Sequence, residues 1–178
     1  MSEYVLRPSD GRYVQLGGLG VRHMIESDRT GGAFALVEHP IAPRALAAPT
    51  HTHTHEDEYS YVLEGRVGVQ IGDEVLVAGP GELVFKPRGI PHAFWNAGDE
   101  PARLLELIAP AAFAAYFDEI APALPPTVRE PDLQRIAEIQ ARYGLTMDMD
   151  SIGPLVERHG LVMEALPPST SADYSRTV

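Results

Sequence analysis

No cysteine occurs anywhere in the 178 residues. Disulfides, thiolate nucleophiles and Cys-ligated zinc are therefore excluded, and any metal must be held by His, Asp, Glu or backbone oxygen. Positive charge is also scarce. Fourteen Lys and Arg face 25 Asp and Glu, for a formal net charge of −11. With no basic stripe to offset a phosphate backbone, nucleic acid is not an expected partner. The same sign disfavours anionic membrane surfaces. Long apolar runs are missing as well: no stretch approaches the ~18 residues that suggest a membrane span, and Met1 to Tyr13 lacks the apolar centre of a signal peptide. These absences predict a cytoplasmic protein with no membrane partner. What is present, 44% apolar and 22% charged residues, is the composition of one globular domain.

Between Val21 and Ala109 the chain breaks into short apolar segments: Val21–Ser27, Phe34–His39, Tyr59–Leu63, Arg66–Ile71, Val75–Ala78, Leu83–Lys86, His92–Asn96 and Arg103–Ile108. Turn signals separate them, among them Glu64-Gly65, Gly72-Asp73, Gly79-Pro80-Gly81 and Ala97-Gly98-Asp99. Many short strands at close spacing predict an all-β sandwich or barrel and leave no room for crossover helices. After Pro110 the character changes. Ala111–Ile120 and Asp132–Tyr143 read as helices, and a third is expected from Asp150 or Ser151 to Arg158 with Gly160 beyond it. The expected organisation is a barrel over residues 1–110, a helical extension packed on it over 111–166 and a mobile tail over 167–178. There is no internal repeat, so one barrel is expected.

The densest chemical signal is Thr50-His51-Thr52-His53-Thr54-His55-Glu56-Asp57-Glu58. On an extended strand, side chains two residues apart share a face and sit about 6–7 Å apart at Cα. His51 and His53 can then converge on one ion. His55 shares their parity, but three successive ligands on a straight strand span about 13 Å, too far for one ion. Glu58 has the opposite parity to His53, so the chain must bend between them, and Glu56-Asp57 suits a surface turn there. Alone, this run is equally a solvated polar loop. His92, just after a Pro/Gly turn, would supply a fourth ligand.

The spacing of these residues resembles the two motifs of the cupin family. The first reads His51-Thr52-His53, four residues, Glu58, six residues, Gly65. The second reads Gly81, five residues, Pro87-Arg88-Gly89, two residues, His92, three residues, Asn96. One departure occurs: Ala45 stands where the first motif has a Gly. The resemblance spans roughly Val21 to Ile108. It implies an all-β cupin jelly-roll barrel with a C-terminal helical extension, and one metal on His51, His53, Glu58 and His92. This register leaves His55 at the rim. A ligand set of three imidazoles and a carboxylate suits Fe, Mn, Ni, Co or Cu, with Zn also possible.

The stretch His55–Gly65 and the helical extension are similar to single-barrel cupins of the quercetin 2,3-dioxygenase kind. That likeness implies a dioxygenase acting with O₂ on a flavonol-like or other enolic aromatic molecule, Glu58 serving as ligand and general base. Inward positions Ser60, Val62 and Phe94, with Phe113, Tyr116 and Phe117 at the barrel mouth, are expected to line the substrate pocket. The alternatives are a non-oxidative metal-dependent cyclase or isomerase, and a binding cupin without turnover. Exposed barrel edges and the resemblance imply a homodimer, with Tyr13–Leu16 as a strand offered to the neighbour.

Overall fold

In the computed structural model, residues 4–124 and 132–162 are described. The expected tail over 167–178 lies outside them. The barrel comprises β1 (Arg12–Leu16), β2 (Leu19–Ile25), β3 (Ala35–Ile41), β4 (Leu46–His53), β5 (Asp57–Glu64), β6 (Val67–Ile71), β7 (Glu74–Ala78), β8 (Leu83–Lys86), β9 (His92–Asn96) and β10 (Ala102–Ala109). They form two facing antiparallel sheets, ordered β1-β2-β3-β10-β5-β8 and, with the later strand β11 (Leu145–Met147), β11-β4-β9-β6-β7. This is the predicted jelly-roll architecture.

Strand β10 shows why the fold takes this form. Ala102, Leu104, Glu106 and Ile108 are buried while their neighbours are half-exposed, the period-two pattern of a strand with one inward face. Between β5 and β6 the chain turns at Gly65, whose φ is +75°, and a Cβ there would lie 2.7 Å from Ala102 Cα. Only glycine fits that corner. The register lays inward side chains in rungs across the first sheet. His39, Leu104 and Val62 make one rung; Val37, Glu106, Ser60 and Val84 the next; Ala35, Ile108, Glu58 and Lys86 the third.

Apolar residues on these rungs and on the second sheet form the main core, which Phe113, Tyr116, Phe117 and Ile120 extend over the barrel mouth. Residues 111–120 are not one continuous helix: a 3₁₀ turn, Ala111–Ala115, leads into α1 (Tyr116–Ile120). Next comes α2 (Leu133–Arg142), begun where the Asp132 carboxylate accepts from the Arg135 amide. Tyr143 Oη donates to Glu119 Oε1 at 2.6 Å and so ties the end of α2 to α1. Strand β11 was not expected from sequence. It is three residues long, too short to show a period, and pairs Leu145 with His53 and Met147 with His51. The last helix, α3 (Ile152–His159), starts after Ser151, one of the two expected cap positions, although the Ser151 side chain makes no capping bond. Asp148 caps the preceding 3₁₀ turn, Met149–Ser151, by accepting from the Asp150 amide. Its buried Leu155 joins a second small core with Leu46, Ala93, Trp95 and Leu161.

Strand β1 forms over the predicted residues, but its partner is β2 of the same chain, through a tight Gly17-Gly18 turn. β1 is the outer strand of its sheet and pairs on one side only among the described residues. Among the described residues no helix is long and apolar enough to cross a membrane.

Candidate metal centre and cavity

His51 and His92 face each other across the β4–β9 pair, with ring centroids 4.3 Å apart. His53 lies one alternation further along β4, its ring stacked 5.5 Å from that of His92. Glu58 enters from β5 on the opposite sheet. One ligand atom from each of His51, His53, Glu58 and His92 falls within 4.8 Å of the others, and all four residues are buried. The bend expected between His53 and Glu58 is present, at residues 54–56. His55 is exposed there and packs its ring near Gly144, outside the cluster.

Hydrogen bonds set the state of the rings. A carbonyl oxygen can only accept, so His51 Nδ1 carries the proton it donates to Pro49 (2.7 Å), and His92 Nδ1 that for Ile90 (3.0 Å). Both Nε2 atoms are left as lone pairs on the cluster side. Burial lowers the pKa of both rings, and the neighbouring rings add to the effect at His51. Neutral imidazole is the form that binds metal.

Several buried polar atoms here have no hydrogen-bond partner among the described residues. Both nitrogens of His53, Nε2 of His92 and Oε2 of Glu56 are sealed from solvent without one. His53 Nε2 lies 3.4 Å from Glu58 Oε1, and His92 Nε2 lies 3.3 Å from Glu58 Oε2. Such a set costs free energy unless a cation completes it. The donor set therefore fits one divalent transition ion. Glu56, expected at a surface turn, is instead buried with Oε2 3.6 Å from His53 Nδ1. That is the position of a carboxylate that orients a metal-binding imidazole. Asp57 does take the surface position and pairs with Arg88 at 2.7 Å.

Beside the cluster lies a feature that the spacing motifs do not contain. Lys86, 1% exposed, places Nζ 2.8 Å from Glu58 Oε2 and 3.1 Å from Glu106 Oε2, and sits 4.6 Å over the Phe94 ring. Ser60 Oγ donates to Glu106 Oε2 at 2.8 Å. Burial pushes the Glu58 carboxyl up, but Lys86 and His53 outweigh it and hold it well below the usual carboxylate range. Burial wins at Glu106, whose pKa is raised to about 7 although Lys86 opposes the shift. The sequence did carry a signal for these two residues. Lys86 and Glu106 occupy inward positions of β8 and β10, where the alternation otherwise calls for apolar side chains.

A cavity of about 580 Å³ opens onto His51, His53, Glu58, Lys86 and Glu106. Its other walls are largely apolar and include Phe94, Phe113, Tyr116 and Phe117, all four anticipated from sequence. Two expected pocket residues do not reach its surface. Ser60 turns its hydroxyl to Glu106, and Val62 is fully buried in the core. Both have the right inward parity but lie behind the polar and aromatic side chains that form the wall. The helical extension contributes Leu133, Ile136, Ala137 and Gln140, and the following segments Leu145, Met147 and Met149.

Residues 38–108 match the cupin domain family model. The fold of the polyketide cyclase RemF from Streptomyces resistomycificus superposes with a TM-score of 0.52 at 30% identity, over 62% of this chain and 80% of that one. The chain belongs to the cupin superfamily. This cupin is also 33% identical over 82 residues to the polyketide synthase CurC of Streptomyces cyaneus, covering 44% of this chain and 53% of that protein. It is 27% identical over 95 residues to the tetracenomycin polyketide synthase protein TcmJ of Streptomyces glaucescens, covering 53% of this chain and 64% of that protein. The chain thus spans between about half and two thirds of these curated relatives.

Proposed function

We propose that this cupin is a metal-assisted enzyme that closes a ring in an enolisable, polyketide-like aromatic molecule without consuming oxygen. The observation that carries this reading is the cavity: one polar corner holds the ligand cluster with Lys86 and Glu106, and the remaining walls are apolar and aromatic. Such a site fits a flat, largely apolar molecule with oxygen substituents at one end. Similarity to a named polyketide cyclase and to two polyketide synthase proteins supports a cyclase over the dioxygenase that the sequence motifs suggested.

His51, His53, Glu58 and His92 would hold a divalent ion, which would supply Lewis acidity toward a carbonyl or enolate oxygen. The chain's own residues supply proton handling. Glu58, with Lys86 on one oxygen, is a weak base and serves better as a ligand. Glu106, raised to about 7, is matched to taking or giving a proton at Oε1 near neutral pH. Lys86 stays charged, its pKa raised by Glu106 and Glu58 against the opposing effect of burial, and steadies the anion that forms on either carboxylate. Phe94, Phe113 and Phe117 exclude water and orient the rings of the bound molecule.

The test is turnover under nitrogen. Protein loaded in turn with Zn, Co, Ni, Mn, Fe and Cu is given aromatic poly-β-ketones and, separately, quercetin. The cyclase reading expects ring closure with loss of water, unchanged by air. Oxygen uptake matched to quercetin loss would shift the assignment to a dioxygenase. No turnover with any metal and substrate would leave only a binding role.

A further inference from the structure

His39 plays no part in the metal cluster, yet it stands on the cavity wall. It is 2% exposed and occupies the first inward rung, with Leu104 and Val62 beside it. Glu58 is in the third rung, about 13 Å away along the strand direction. His39 thus marks a different part of the wall from the ligand corner. Its ring lies between two phenyl groups, 5.5 Å from Phe117 in an edge-on contact and 6.3 Å from Phe94.

The tautomer follows from one bond. Nδ1 lies 2.9 Å from the carbonyl oxygen of Gly20, which can only accept, so Nδ1 carries the ring proton. Gly20 is itself fixed in the β1–β2 pair, opposite Gln15. Nε2 is then a bare lone pair. Among the described residues it has no hydrogen-bond partner, yet it is not one of the polar atoms sealed from solvent. In a residue this buried, the open space beside it is the cavity. Burial, the largest influence, lowers the ring's pKa to about 4, so at neutral pH the ring is uncharged and Nε2 accepts.

We propose that His39 Nε2 is a specificity-determining acceptor that selects aromatic substrates bearing a hydroxyl donor remote from the group held at the metal corner. A molecule lacking that hydroxyl would bury the lone pair unpaired, which is how a site rejects the deoxy analogue of its substrate. The edge and face of Phe117 and Phe94 suit the planar ring that carries the hydroxyl. This inference rests on the cavity being the substrate site, and holds for either a cyclase or a dioxygenase.

The experiment measures binding of 2-naphthol and 2,6-dihydroxynaphthalene to the zinc-loaded protein by calorimetry, with no turnover required. The diol is expected to bind at least about tenfold more tightly, the gain of one satisfied buried acceptor. His39→Asn can keep the bond to Gly20 through its amide nitrogen while removing the acceptor from the Nε2 position, and should bring the two affinities within about twofold. His39→Gln places an amide oxygen near the Nε2 position and should restore part of the preference. Thermal melts check that both variants fold; if His39→Asn does not, the His39→Gln ratio decides. An unchanged ratio in the folded variants would overturn the role of His39 alone. Failure of the wild-type protein to bind either probe would overturn the cavity reading, and this inference with it.

Discussion

Glu58 presents its two carboxylate oxygens to different neighbours: Oε1 faces His53, while Oε2 lies between Lys86 and His92. Lys86 in turn divides its charge between Glu58 and Glu106. Two carboxylates at 4% exposure or less therefore depend on one ammonium. Removing one partner of a buried pair leaves an uncompensated charge, whereas removing both need not. Lys86→Met should accordingly destabilise the metal-free protein by about 3–5 kcal/mol in urea titration. The double variant Lys86→Met/Glu106→Gln should recover a substantial part of that loss. Full additivity of the two single effects would mean that the residues are energetically independent.

At the scale of elements, the second sheet closes at a point where side chain and backbone touch. Gly68 on β6 lies under the Trp95 indole on β9, and a Cβ there would come within 2.1 Å of Trp95 Nε1. Gly68→Ala must displace the indole and disturb its stacking on His159 of α3, at 4.2 Å. A loss of about 1–3 kcal/mol with an altered tryptophan emission spectrum is expected. Elements of this kind explain what was legible in the sequence. Strands β5 to β10 announced themselves because glycine and proline turns bound short alternating runs, and the four clustered side chains because their spacing is rigid. Strand β11 and the 3₁₀ segments were not legible, since three to five residues carry no period and form through tertiary pairing. Lys86 and Glu106 escaped for another reason. Charged residues at inward strand positions look like pattern errors until the neighbouring strands of the same sheet supply their partners.

For the molecule as a whole, buried histidines set the response to acid. His23 and His39 have pKa values lowered to about 4, mainly by burial, against an ordinary value of 6.5. Below pH 6.5 the unfolded chain takes up protons that these folded rings refuse until about pH 4. Their stabilisation is complete above pH 6.5 and is lost as pH falls toward 4. Glu106 has the opposite sign: it stays protonated in the fold up to about 7, so its contribution fades as pH rises from 4.5. Two rings outweigh one carboxyl between pH 4.5 and 6.5. The Tm of the metal-free protein should therefore fall by several degrees from pH 6.5 to 4.5, and a flat or rising profile on acidification would contradict this balance.

All of these scales meet in the reading of His51, His53, Glu58 and His92 as one metal centre at the polar corner of the cavity. The most direct test is metal content after reconstitution and gel filtration, measured by plasma mass spectrometry on wild type and single variants. Close to one ion per chain is expected, with a tenfold or greater fall in affinity for His92→Ala and Glu58→Ala and full retention in His55→Ala. A wild-type chain that keeps no ion, or a loss at His55→Ala equal to that at His92→Ala, would contradict this reading.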